Sequence, residues 1–140
     1  MSSSDVPEAT SEADRGRDLL RQISTGMARM QKDAFGKGPT STKSYMFDDL
    51  LLIVMREGLT VAEKTMLDFG QADLVRHFRQ QFENEMTSRL VDMIEGLTER
   101  NVLTYQSQIM FNPDVVIEIF VFDRPDARFA AAEVQLDDEP

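Results

Sequence analysis

The sequence predicts an α+β domain: an antiparallel four-stranded sheet packed on helices, with elements in the order α-β-β-α-α-β-β. Two long segments repeat apolar residues every three or four positions and read as amphipathic helices. Four segments, arranged as two pairs, are rich in branched and aromatic side chains and read as strands joined by turn residues. Between the pairs a capping motif opens a further short helix.

The first helix starts near Ser11, with Asp14 three residues on as its capping partner. Leu19, Leu20, Ile23, Met27, Met30 and Ala34 make one apolar stripe. Gly36, Gly38 and Pro39 end it, because a glycine accepts the left-handed cap and a proline cannot continue the helix. Tyr45 and Phe47 then alternate with Met46 and Asp48, and Leu50 to Met55 is apolar on both faces. Asp48-Asp49 between them reads as a tight hairpin, and residues 50–55 as a central strand that needs cover on both sides, from helices or from another subunit.

Thr60 and Glu63 form a capping box, so a short helix runs from there to about Phe69 and breaks at Gly70. A long helix follows from about Gln71 to Arg100, with Leu74, Val75, Phe78, Phe82, Met86, Leu90, Met93, Ile94 and Leu97 as its apolar set. On its polar face Arg79–Glu83 and Glu85–Arg89 have the spacing of i,i+4 ion pairs. Val102 to Phe111 alternates polar and apolar residues, Asn112-Pro113-Asp114 is turn chemistry, and Val115 to Phe122 reads as the last strand. Residues 1–11 read as a disordered tail, 12–123 as a single α+β domain, and 124–140 as an acidic C-terminal tail or docked segment.

A chain of 140 residues is long enough to bury a core without covalent staples, and it has no cysteine to make any. Thiolate metal sites, iron–sulfur clusters and thiol nucleophiles are thereby excluded. The formal net charge of −10 repels phosphate backbones and argues against a nucleic-acid partner. The longest apolar run, Leu50 to Met55, is far short of the roughly 20 residues of a spanning helix.

Reactive groups are few. His77 is the single histidine, and with Asp73 four positions earlier it supplies two ligands, too few for a metal site. No serine sits in a nucleophile elbow; Glu57, or Asp48 and Asp49, are the carboxylates an enzyme could use, but the turn position of Asp48 and Asp49 argues for solvent exposure. Gly36-Lys37-Gly38-Pro39-Thr40-Ser41 has the composition of a phosphate loop, but it follows a helix and enters a strand, the reverse of the required order. Backbone N–H groups there could still hold an anion, so Lys37, Gly38 and Lys43, with Arg79, are the candidate anion or ligand contacts. No catalytic, cofactor-binding or metal-binding residue is assigned, and no cofactor is expected. The methionine-rich helix faces and the two-sided apolarity of residues 50–55 predict a homodimer.

The order of Gly36-Lys37-Gly38-Pro39, Gly58-Leu59-Thr60 with Glu63, Gly70, Val75, Arg79 and Phe82, then Val102, Ser107 and Phe120-Val121-Phe122, resembles the MpsC family of small bacterial domains. That family is named for an accessory of a Na+-translocating, membrane-potential-generating system, and the resemblance covers about residues 16–123. The chain departs from the pattern at Glu99-Arg100-Asn101, where a glycine-containing turn is expected, and at Gln108, where an acid is expected after Ser107. The resemblance implies a non-catalytic interaction domain, an accessory or regulatory subunit of a membrane ion/bicarbonate-translocating system. It would be cytoplasmic, peripheral to the inner face of the membrane, and part of a transporter complex. The alternative expectation is a small-ligand or anion-sensing domain.

Overall fold

The computed structural model describes residues 11–129 and 134–137. The expected disordered tail over 1–11 lies outside the described residues except for Ser11, and so do residues 130–133 and 138–140 of the acidic segment.

Helix α1 (Glu12–Phe35) is capped by Ser11, whose hydroxyl accepts from the Asp14 N–H at 3.1 Å. It ends at Gly36, where φ is 78° and the cap N–H donates to Lys32 O at 2.8 Å. Strands β1 (Ser41–Phe47) and β2 (Leu50–Arg56) pair antiparallel around Asp48–Asp49, with Met46 opposite Leu51 and Ser44 opposite Ile53. Helices α2 (Val61–Asp68) and α3 (Ala72–Thr98) follow, and β3 (Val102–Phe111) and β4 (Asp114–Phe122) form the second hairpin. The sheet order is β1-β2-β4-β3 with every neighbouring pair antiparallel, so β2 and β4 are central, as the apolar composition of both requires.

Strand alternation divides the sheet into two unlike faces. Met46, Leu51, Ile53, Met55, Phe120 and Phe122 point to one side, where Leu19, Ile23 and Met27 of α1 and Leu90 and Ile94 of α3 bury them. The helices meet closely at Gly26, where an added Cβ would stand 2.6 Å from Met93 Sδ. The chain after β4 returns to this side: Asp48 N–H donates to Phe129 O at 3.1 Å, and Phe129 packs on the core. Arg100 is buried there and donates to Asp48 O at 2.8 Å and Arg124 O at 3.0 Å, with its guanidinium 3.9 Å from the Phe122 ring centre.

The opposite face carries Tyr45 and Phe47 of β1, Leu50, Leu52 and Val54 of β2, and Ile117, Ile119 and Val121 of β4. No described helix makes an extended contact with it. The expectation that residues 50–55 are covered on both sides thus holds for one side within the chain. The physical reason is that both long helices pack on the same face, over Phe120 and Phe122.

The last turn of α3 holds a strained position. Glu99 is its cap at φ 56°, donating its N–H to Glu95 O at 2.9 Å. An L side chain in the left-handed region costs about 1 kcal/mol, and glycine avoids that cost. The substitution Glu99→Gly is expected to stabilise the domain by roughly 0–0.6 kcal/mol after the added freedom of the unfolded chain is counted. A higher urea midpoint with an unchanged slope would register it.

Candidate functional site

The space between α3 and the β3–β4 half of the sheet holds the groups whose chemistry is least ordinary. At its upper end Thr60 caps α2: its hydroxyl accepts from the Glu63 N–H at 3.2 Å, and the Glu63 carboxylate accepts from the Thr60 N–H at 2.9 Å. The same carboxylate is gripped by Arg79 of α3, whose Nε donates to Oε2 and Nη2 to Oε1 at 2.6 Å. Arg79 Nη2 also donates to Gly58 O at 3.1 Å, and its guanidinium lies 3.7 Å from the centre of the Phe35 ring. Both partners are buried at 7% side-chain exposure. Burial works to raise the Glu63 carboxyl, but the bonds from Arg79 and Thr60 outweigh it and hold the group below its ordinary range.

Lower down, Glu118 of β4 points to the helix-covered face and is 2% exposed. It stands opposite Ser107 of β3, whose hydroxyl donates to Glu118 Oε1 at 3.1 Å. The Tyr105 hydroxyl touches Glu118 Oε2 and also lies 2.7 Å from Glu83 Oε1 on α3. A phenol has one proton to give, so both contacts are satisfied only if one carboxyl is protonated. Burial first, then the negative charge of Glu83, pushes Glu118 up to about 8, against the opposing bonds from Tyr105 and Ser107. Near neutral pH, therefore, Glu118 carries the proton and donates it to Tyr105, and Tyr105 donates to Glu83. Burial and the two acids together raise the Tyr105 hydroxyl far above its usual range, so it stays a donor at any physiological pH.

A cavity of about 240 Å³ opens over this cluster. Gln31 and Phe35 of α1 lie at one side, Arg79, Glu83 and Met86 of α3 above, and Tyr105, Ser107 and Ile109 of β3 below. Arg76 is at its rim, donating to Ile109 O at 3.2 Å with its guanidinium 4.7 Å from the Phe111 ring centre.

The residues singled out from sequence fall in three places. Lys37 donates to Leu59 O at 3.0 Å, and Arg79 grips the neighbouring carbonyl of Gly58, so both cations hold the backbone entering α2. Gly38 lies close to α1, where an added Cβ would stand 3.4 Å from Lys32 Cβ. Lys43 is exposed and, by strand alternation, belongs to the other face of the sheet. The four are therefore not one cluster. The i,i+4 pairing of Arg79 with Glu83 is replaced: Arg79 turns to Glu63, and Glu83 accepts from Tyr105. Burial explains the change, since a desolvated guanidinium gains more from a bidentate buried carboxylate than from an exposed neighbour. Glu118 was missed, although it had a signal: on a central strand it shares parity with Phe120 and Phe122. Among the described residues no group of three or more His, Asp or Glu side chains is placed to hold a metal ion.

Fold and site together define a small α+β domain with an acid cluster under a helix-lined cavity. The chain belongs to the MpsC family: residues 16–124 match the family described as Na+-translocating membrane potential-generating system (MpsC). That description associates the family with a Na+-translocating membrane-potential system. No curated protein and no solved structure matches the chain. Among the described residues, no helix is long and apolar enough to cross a membrane.

Removing one partner of a buried pair strands the other, so Arg79→Ala is expected to destabilise the domain by about 3–5 kcal/mol. Glu63→Gln keeps both capping bonds within reach and should cost less; equilibrium urea unfolding of the two variants checks the ranking. Glu118 gives a pH signature. Its folded value of about 8 exceeds the 4.5 of a free carboxyl, so the folded state binds the extra proton between these limits. Its contribution is complete below about 4.5, falls as pH rises, and is exhausted above about 8. Glu118→Gln, which imitates the protonated acid, is expected to flatten that decline and to be the more stable form at pH 8, read from denaturation midpoints between pH 5 and 8.

Proposed function

We propose that this chain is a non-catalytic protein-interaction domain that pairs with a second copy of itself and serves as an accessory or regulatory subunit of a membrane ion/bicarbonate-translocating system. The supporting observation is the open face of the sheet. Tyr45 and Phe47 are about 40% exposed there and stack with ring centres 6.4 Å apart, beside the aliphatic rows of β2 and β4. Strands about 4.8 Å apart and seven residues long at about 3.3 Å each give four of them a plane of roughly 400 Å². The apolar part, on β1, β2 and β4, is roughly 300 Å² of that plane, the size of the largest patch on a typical monomer, which is often functional.

The occupant that fits is another copy. Charge on the face is confined to its ends, at Lys43 and Arg56, and two-fold packing of like sheets buries the apolar middle against its equal. Lys43 at the β1 end and Gln106 and Gln108 on β3 supply the polar rim such an interface needs. With the pair closed through its sheets, the helical sides face outward, free for a membrane complex. In this reading the protein is cytoplasmic and sits at the inner face of the membrane, and its family's association with a Na+-translocating system is the reason to seek the partner there.

Light scattering on the purified chain should give a mass of about twice 15.9 kDa. Introducing Leu52→Lys together with Ile119→Lys places charges in the middle of the face and is expected to return the monomer, with the helical circular dichroism kept. Affinity capture from native membranes should retain an ion-translocating membrane protein. A wild-type chain that stays monomeric at high micromolar concentration would refute the pairing.

A further inference from the structure

The cavity over Glu118 lies on the opposite side of the sheet from the proposed pairing face and has no part in it. We infer that this cavity is a binding site for a small organic cation: a protonated primary amine with a short apolar or single-ring body, whose ammonium group sits among Glu118, Glu83 and Tyr105. The inference stands on the hydrogen-bond accounting and on the shape of the site.

Two carboxyl groups, Glu118 and Glu83, converge on one phenol that can satisfy only one of them as a donor. The Ser107 hydroxyl supplies one further proton, to Glu118 Oε1. Neither cation of the cavity wall donates to them. On α3, Arg79 is bound by Glu63 and Gly58 O, and Arg76 by Ile109 O. Tyr105 and Ser107 on β3 bring no charge, and α1 contributes the neutral Gln31 and Phe35. Neither arginine of the wall bonds Glu118 or the half-buried Glu83, and the buried Glu118 carboxyl is neutralised by a proton instead. An ammonium group supplies the same need better, since it has three donors and a full positive charge.

The remaining lining sets what the ammonium is attached to. Met86, Leu90, Ile109, Val116 and Phe35 make apolar walls. The cavity of about 240 Å³ is below the roughly 300 Å³ at which drug-sized ligands are held, so the body is limited to a few carbons or one ring. A fully hydrated inorganic cation gains nothing from those walls, whereas an alkyl or aryl amine buries its carbon skeleton against them.

Binding is an exchange. The neutral Glu118 carboxylic acid releases its proton to solvent, and the resulting carboxylate pairs with the ammonium; no other bond forms or breaks, and charge is conserved. Affinity should therefore rise about tenfold per pH unit between pH 6 and 7.5, where Glu118 is protonated in the free protein and the amine is charged throughout.

The test uses the full chain and phenethylammonium chloride, with butylammonium chloride, sodium chloride and sodium benzoate at equal ionic strength. The expected result is a raised melting temperature with the two amines and not with sodium or benzoate. Calorimetry in two buffers of different ionisation enthalpy should report close to one proton released at pH 6.5. Glu118→Gln keeps the hydrogen bonds of the neutral acid, so it should fold normally, lose amine binding and lose the proton release. Tyr105→Phe should weaken binding about tenfold or more, and serves as the second variant if Glu118→Gln is unstable. Amine binding that survives both substitutions, a response to sodium alone, a response to benzoate alone, or no response to either amine would each overturn the assignment. Because the amine site and the sheet face are separate, Leu52→Lys with Ile119→Lys should leave amine binding intact, so failure of one reading is distinguishable from failure of the other.

Discussion

Everything around the entry to α2 depends on one carboxylate, that of Glu63. It closes the capping box with Thr60 and at the same time receives the Arg79 guanidinium from α3. Through Arg79 the link extends to the Gly58 carbonyl at the end of the β2 loop and to the Phe35 ring in the last turn of α1. Three segments remote in sequence, the end of α1, residues 58–63 and α3, thereby meet at a buried ion pair. Such a pair need not stabilise the fold more than an apolar contact of the same volume, because both charges were taken from water. It does fix where the segments sit, since fork-shaped donation to a carboxylate tolerates few geometries.

That arrangement also decides what the rest of α3 can do. With Arg79 turned toward α2, Glu83 one turn further on is released to face Tyr105. An acid at that level of α3, above a second acid on β4, would be unfavourable if both were ionised. The protein resolves the conflict by placing a phenol between them and leaving a proton on the more deeply buried one. The cavity opens over this polar cluster, with Leu90 at its wall.

Most of the architecture was legible in the sequence. The two hairpins, the Thr60–Glu63 box, the glycine cap after Phe35 and the order of elements all follow from local chemistry that acts within a few residues. The helix stripes were legible for the same reason, except at the start of α3, where Phe78 is 46% exposed and Arg79 takes the buried position. Periodicity alone favours the phenylalanine; the carboxylate that makes the arginine affordable is sixteen residues away. The acid cluster was illegible for a related reason. Ser107 and Tyr105 face Glu118 through strand register, and Glu83 reaches them through helix packing. Strand parity alone marked Glu118 as an acid among inward-facing aromatics, and that was the available clue.

The rim of the sheet limits how such a domain can grow. Its outer strands are β1 and β3, and β3 departs from regular pairing between Val102 and Thr104, where Leu103 is squeezed out of register. Arg76 occupies the Ile109 carbonyl further along the same border. Irregular, polar and partly blocked margins resist the strand-to-strand addition that extends sheets without end. Such margins leave the broad faces of the sheet, and not its borders, open to the pairing proposed above, which would close after a single partner.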